Sequence, residues 1–487
     1  MKKYIVIYSV LILFVTIKLK GQSITFEYLL STPQDEFLFD IVEASDSNIF
    51  FCGWLSSPLQ PKIQKGLLVK LNNYGEFVDS NILTYPDKSI NVIRLLSGNS
   101  ENYTMVSIIF DSVGSYQNGN IFLSTMDESL NIFNNSIFAF PPTYRFDHLS
   151  AQLEANGNLL VGGAIETINN HNPWPFIYEF NSVFDSLKAR FYFDSNDIGI
   201  ILKLKALPDS NYWIIKALRR RYELLDPSFN VITTQKIPDY LSGNLGVKWD
   251  TDTSFYLVGD KLLPEPSHNL GFIRQYHPMD TTGHLFNQWG VSDTVDFPAV
   301  WNGIDFKNKD SIFIGGTRNF WLGDYNNWPS WFIVLQTDSM LNIRWERFYG
   351  GDAYYLMCKI IAANDGGCFV AGTRYDYLHT TEQERDIIIL KLNSEGLITG
   401  NEEKPSIKMQ EAIVFPNPGT SEIKVRVAAQ YSQSVFKLYD INGKLVLTRN
   451  ITGKWGEANT AFLNPGTYIY RITSNDGLYE SGKWVKQ

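Results

Sequence analysis

Short strand-like runs of apolar residues, separated by polar turns, recur from about residue 24 to residue 398. The recurring unit is one strand, a polar turn and a second strand that ends in a small residue. Seven copies align: Ile41–Trp54, Arg94–Ile108, Ala151–Ala164, Lys203–Ala217, Val247–Asp260, Ile304–Thr317 and Lys359–Thr373. Near the end of each second strand stand Gly53, Ser107, Gly163, Lys216, Gly259, Gly316 and Gly372, at intervals of roughly 50 residues. Asn156-Gly157-Asn158 and Asn364-Asp365-Gly366-Gly367 supply positive φ without steric cost, and Asp209-Ser210-Asn211 suits a tight turn closed by side-chain-to-backbone bonds. The recurrent glycine predicts close backbone packing where the units crowd around an axis.

Each copy continues through a variable polar loop into a third strand, as at Gly66–Leu71, Gly119–Thr125, Pro175–Phe180, Leu270–Tyr276, Ser330–Thr337 and Asp386–Leu392. A turn such as Asn72-Asn73-Tyr74-Gly75 leads to a fourth, clearest at Ile343–Tyr349 before Gly350-Gly351. Four strands per period predict an all-β fold, a seven-bladed β-propeller. Six or eight blades, a pair of sandwiches or a solenoid are the alternatives. The seventh copy breaks off after Ile398 without a fourth strand. Ile24–Leu30 offers one, so the ring is expected to close on the N-terminal strand and leave no open sheet edge. The stretch from Trp345 to Gly396 carries a tryptophan strand, Gly350-Gly351, Asp365-Gly366-Gly367, Val370-Ala371-Gly372 and Asp386 with Lys391. In this it resembles the propeller-like repeats of secreted Bacteroidota proteins.

Polar residues from Thr399 to Pro405 read as a linker. Beyond it, Ile423–Val427 alternates as a strand with one buried face, and Asn442-Gly443 is a hairpin turn after Phe436–Asp440. The expected unit is a small Ig-like β-sandwich of seven strands or so. Its motifs are Pro416-Asn417-Pro418, Asp440-Ile441-Asn442-Gly443-Lys444, Leu463-Asn464-Pro465-Gly466-Thr467-Tyr468 and a final strand with Lys483. They resemble the type A C-terminal sorting domain of the type IX secretion system. The resemblance implies transport across the outer membrane by the type IX machinery, removal of the tail, and a cargo released or attached to the cell surface.

At the other end, Lys2 and Lys3 precede an apolar run from Tyr4 to Ile17 and then Lys18-Leu19-Lys20-Gly21. A basic start, a short apolar core and a small residue predict a signal peptide. The run is shorter than the ~20 residues of a spanning helix, so no permanent transmembrane segment is expected, with an uncleaved anchor as the alternative. The expected division is a signal peptide at 1–21, the propeller at 22–398, a linker at 399–412 and the sorting domain at 413–487. The expected location is secreted or on the cell surface, associated with the outer membrane.

Aromatic residues make up 14% of the 487 residues and charged residues only 19%, which suits half-buried sheets. A net charge of −9 opposes nucleic-acid binding, and Arg219-Arg220-Arg221 reads as a solvated turn. Cys52, Cys358 and Cys368 lie in apolar runs and predict buried thiols rather than a disulfide frame. Asp111-Ser112, Asp185-Ser186, Asp310-Ser311 and Asp338-Ser339 resemble a short O-glycosylation sequon of Bacteroidota and are equally good turns.

No catalytic constellation, metal site or cofactor motif is found. The six histidines lack paired spacing, and Asp250, Asp252 and Asp260 read as turn and edge residues rather than calcium ligands. The candidate binding residues are loop aromatics beside amides: Trp174 in the third copy, and Trp321, Tyr325 and Trp328 in the sixth, all expected on one rim. The alternative is that they pack over blade edges. The expected function is a binding propeller without catalysis, its partner a glycan or a surface protein. A hydrolase or lyase with acids in the central funnel, or a structural adhesion component, is the alternative.

Overall fold

The computed structural model describes residues 23–57, 63–98, 102–111, 118–140, 144–167, 170–193, 198–217, 220–237, 241–262, 268–280, 283–290, 294–321, 325–380, 383–399, 412–427, 433–441, 443–474 and 479–487. The signal-like segment 1–21 and nearly all of the linker lie outside them. Seven antiparallel sheets form a β-propeller, and there is no helix among the described residues. Blade 1 is Asp35–Glu43, Ile49–Ser56, Gln64–Leu71 and Phe77–Leu83, and the next five follow in chain order. Blade 7 contributes Tyr354–Ala362, Cys368–Tyr375 and Asp386–Leu392 from its own copy. Its fourth strand is the N-terminal Phe26–Leu30, antiparallel to Asp386–Leu392 with Tyr28 opposite Ile389. The ring closes as the broken seventh copy predicts.

Within the blades the second and third strands are the most buried and the fourth faces solvent. Asp386–Leu392 is buried throughout, whereas Ile343–Gly350 alternates between exposed and half-buried. The turn that follows the third strand shares one device in six blades. An Asp or Asn side chain accepts the amides two and four residues on, at Asn72, Asp127, Asn181, Asp226, Asp338 and Asn393. The residue three places on has positive φ. It is glycine in blades 1 and 7, but Leu130, Phe184, Phe229 and Leu341 elsewhere. Burying these four side chains offsets the left-handed strain. Asp338 of the sequon-like pairs is therefore a turn-forming acceptor, and Asp185 closes the turn that starts at Asn181.

The recurrent glycine has a local cause. The innermost strands carry a β-bulge, between Leu38 and Asp40 in blade 1, Val92 and Arg94 in blade 2, Ile201 and Lys203 in blade 4, and Met357 and Lys359 in blade 7. Gly53, Ser107, Lys216 and Gly372 sit opposite the residue just before the bulge. A Cβ on Gly53 would overlap the Phe37 carbonyl oxygen, and one on Gly372 the Leu356 carbonyl oxygen. The tightest approach thus comes from the same blade's inner strand, not from neighbouring blades around the axis as expected. In blade 4 the position holds Lys216, fully buried and paired with Glu223 at 2.8 Å.

Blade 6 departs from the repeat. Its inner strand is split into Asp296–Pro298 and Ile304–Asp305, and residues 299–303 cross to blade 7. The Val300 and Trp301 amides donate to the Met357 and Cys358 carbonyls, at that blade's bulge. The Asn302 side chain accepts from the Val247 amide of blade 5 at 2.9 Å and donates to the Ile304 carbonyl at 2.7 Å. Its backbone carbonyl accepts from the Ile360 amide of blade 7 at 3.1 Å, so one asparagine ties three blades together. All three cysteines are buried and unbridged.

The tail folds as two facing sheets of seven strands. Ala412–Phe415, Glu422–Val427 and Trp455–Asn459 form one; Leu445–Thr452, Gln433–Tyr439, Gly466–Ser474 and Tyr479–Lys486 form the other. Ile423, Phe436, Ile472 and Trp484 are fully buried between them.

Two stability outcomes follow from this architecture. Deleting residues 22–31 exposes the edge of Asp386–Leu392 and sharply lowers the melting temperature; an unchanged melting curve would refute closure by this strand. Gly372→Ala forces apart two strands of blade 7 and costs roughly 1–3 kcal/mol in chemical denaturation, by analogy with overpacked cores.

Candidate functional site

Strand polarity separates two faces. In every blade the turns between strands one and two, and between three and four, lie at one end, the hairpin face. The longer connections between strands two and three lie at the other, the loop face. Each face carries a candidate site.

On the hairpin face the axis opens into a hollow of about 460 Å³ lined by the ends of the inner strands of blades 1 to 5. The bulges decide what meets there. Each one advances the strand by a residue, so the next side chain, Asp40, Arg94, Lys203 or Lys359, holds an equivalent place in its blade. Lys359 is salt-bridged to Asp40, and Lys248 of blade 5 to Asp305 of blade 6 at 2.6 Å. Arg94 donates to its neighbour's carbonyl, Ile93, at 2.8 Å. Lys203 has no hydrogen bond or ion pair among the described residues, and the charges that act on it are Lys359, Arg94, Asp40 and Lys248. Burial first, and then these neighbouring cations, lower its pKa to about 7. Burial likewise lowers the pKa of Arg94, against the pull of Asp40. The Cys52 thiol beside this group is pushed up by burial and by Asp40.

Trp301 closes the axis behind the cations. Its indole N–H donates to the Leu38 carbonyl of blade 1 at 3.2 Å, and its ring lies 5.0 Å from that of Phe39. The Arg94 guanidinium of blade 2 sits 5.6 Å from the same ring. A tryptophan from blade 6 thus bridges to blades 1 and 2 across the centre.

The loop face carries the four aromatic candidates. Trp321, Tyr325 and Trp328 belong to the long loop of blade 6, whereas Trp174, expected in a loop, stands in the third strand of blade 3, Asn170–Phe180, opposite Ile165. Trp321 is 54% exposed and stands edge-on to Trp328 at 5.6 Å. Trp328 donates to the Asn319 carbonyl at 3.3 Å, which fixes it to the base of its own loop. Tyr325 donates to Asp35, and Arg385 lies 4.7 Å from its ring, at the seam of blades 7 and 1. Trp174 is half-buried, 5.8 Å from Phe193. Trp328 and Tyr325 support the loop; Trp321 is the ring offered to solvent.

Among the described residues, no three His, Cys, Asp or Glu side chains group as a metal site. Asp250, Asp252 and Asp260 face separate partners: Lys309 at 3.5 Å, Lys205 at 3.1 Å and the His268 ring at 3.3 Å. Sequence reasoning missed the axial group, although a signal was present. Copies two, four and seven all begin on a basic residue, Arg94, Lys203 and Lys359.

The tail motifs are structural. Asn417 donates to the Lys483 carbonyl at 2.7 Å and accepts from the Val485 amide at 2.9 Å. Trp484 donates to the Pro416 carbonyl at 2.7 Å, with Pro418 completing the corner. Asp440 accepts the Lys444 amide across a turn where Gly443 has φ 82°. Gly466, with positive φ, precedes Tyr468, whose hydroxyl donates to the Asn464 carbonyl at 2.8 Å. Lys483 is exposed on the last strand.

Residues 413–487 match the family described as a secretion system C-terminal sorting domain. No curated protein sequence matches the chain. Similar solved structures include virginiamycin B lyase from Staphylococcus aureus, at 13% identity over 76% of this chain and 99% of that one, with a TM-score of 0.42. YCF48 from Cyanidioschyzon merolae covers the same shares at 13% identity and a TM-score of 0.43. A protein of unknown function from Bacteroides caccae matches at 12% identity over 65% of this chain and 94% of that one, with a TM-score of 0.37. Among the described residues no helix is long and apolar enough to cross a membrane. The tail is a type IX sorting domain, so the protein is exported, to the cell surface or beyond, through the secretion machinery that reads this tail.

The cation cluster makes its own stability prediction. Lys203→Met removes one of four clustered cations and raises the melting temperature at pH 6, where Lys203 is charged. The unfolded lysine titrates near ~10.4 and the folded one at about 7, so between these values the unfolded chain holds the extra proton. Wild-type stability therefore climbs relative to the variant as pH rises from 7 toward 10. Parallel melts of both proteins across that range measure the gap.

Proposed function

We propose that this chain is an exported, non-catalytic β-propeller that recognises a glycan or protein partner outside the cell. In this reading residues 1–21 are removed as a signal peptide, and residues 22–398 are the working domain. The tail at 413–487 is cut from it within the linker at 399–412. The cargo is then displayed at the outer membrane of a Bacteroidota cell or released. The observation that carries the binding role is the exposed Trp321, held on a loop that Trp328 and Tyr325 anchor to the framework. An aromatic face on a supported loop grips the apolar side of a sugar ring or a peptide side chain at little cost in conformational entropy. Trp174 extends the same face from blade 3.

The alternative, a hydrolase or lyase working in the axial funnel, draws on a lysine held near neutrality, which suits a general base. Against it, the funnel carboxylates Asp40 and Asp305 are each engaged by a lysine, so neither is a free acid partner.

Glycan-array and surface-extract pull-down experiments with the exported protein and its Trp321→Ala variant test the binding role. Loss of an exposed aromatic anchor costs about 2 kcal/mol or more, some 30-fold in affinity, with the melting temperature unchanged. Equal capture by both proteins would remove Trp321 from recognition, and turnover of a polysaccharide by the wild type would favour the lyase or hydrolase.

A further inference from the structure

We propose that the axial funnel is a second binding site, on the opposite face from Trp321, and that it takes the carboxylate or sulfate of an acidic sugar residue with Lys203 as its main partner. The charge arrangement leads to this. The chain as a whole carries −9, yet Arg94, Lys203, Lys248 and Lys359 gather at the axis with Asp40 and Asp305, and Lys205, paired with Asp252, lines the same hollow. Lys359 and Lys248 are neutralised by Asp40 and Asp305, and Arg94 rests on Trp301. Lys203 is left without an acceptor among the described residues, lining an open hollow and surrounded by like charge. An ammonium so placed, partly exposed to the hollow and with no acceptor of its own, presents its donors to an incoming anion. An arriving anion restores the proton that the neighbouring cations tend to expel.

The lining favours a sugar as the bearer of that anion. Trp249, Ser150 and Gln152 line the same hollow as Lys203. Aromatic faces and amides together suit the two sides of a pyranose ring. The volume, about 460 Å³, lies within the range of small-ligand sites. At Ser97 and Leu153 it adjoins a further hollow of about 520 Å³ between blades 2 and 3, with room for the next residues of a chain. Glu154 lines that outer hollow, so the negative charge belongs at the axial end of the ligand.

Calorimetric titration of the full chain with four probes tests this: a uronic-acid oligosaccharide, a sulfated oligosaccharide, a neutral oligosaccharide of equal length and oligoglutamate. One of the two acidic oligosaccharides binds and the neutral one does not. Lys203→Met weakens that binding about tenfold or more while the protein still melts cooperatively. Lys203→Arg retains most of it, and Lys65→Met, at an exposed site on blade 1, leaves it intact. Affinity falls as pH rises from 6 to 9, when Lys203 loses its proton in the presence of the fixed charges Arg94, Lys248, Lys359, Asp40 and Asp305. Binding of the neutral sugar with equal strength, binding of oligoglutamate alone, no binding by any probe, or an unchanged affinity in Lys203→Met would each overturn the assignment.

Discussion

A one-residue bulge in the innermost strand governs much of this molecule. In blades 1 and 7 a carbonyl next to the bulge lies where the facing residue's side chain would begin, whereas Ser107 and Lys216 keep side chains at that place in blades 2 and 4. Gly53 and Gly372 fit there by having no side chain. The same step reorients the residue after the bulge, and in blades 1, 2, 4 and 7 that residue is charged. A backbone irregularity thus accounts for Gly53 and Gly372 and for the charged lining of the axis. Bulges commonly re-aim side chains in this way.

The seven blades are held as a ring by unlike devices at different seams. At the closing blade the sheet itself supplies the join, five residue pairs between the N-terminal strand and Asp386–Leu392. At the seam of blades 7 and 1, Arg385 forks onto Asp35 at 2.9 and 3.0 Å with both side chains buried. Geometry of this kind is needed for a buried ion pair to offset its desolvation. Across the centre, Trp301 and Asn302 from the broken inner strand of blade 6 contact blades 1, 2, 5 and 7. That segment is where the repeat fails.

The sorting domain illustrates how a linear motif can be a folding requirement. Pro416-Asn417-Pro418 lies far in sequence from the last strand, yet Asn417 bonds both the Lys483 carbonyl and the Val485 amide, while Pro416 accepts from Trp484. The motif and the final strand therefore specify each other. Arg426 of this domain also reaches Glu384 at 3.1 Å, beside the closing strand pair of blade 7.

Local chemistry made much of this legible without a structure. Strand-turn-strand periodicity, the Asn and Asp turns and the unfinished seventh copy led to the ring and its closure, because hairpins and edge pairing are decided by residues near one another in sequence. The tail motifs were equally readable. The aromatic residues near Trp321 were visible as a class, but which ring faces solvent depended on Asp35 and Asn319 accepting from Tyr325 and Trp328. The axial cations stood in view at the head of three copies. Their meaning needed the tertiary structure, since a bulge shifts which side of a strand a residue serves, and only ring closure brings residues 40, 94, 203 and 359 around one axis. Periodicity along the chain determined the blades; convergence between distant blades decided the site.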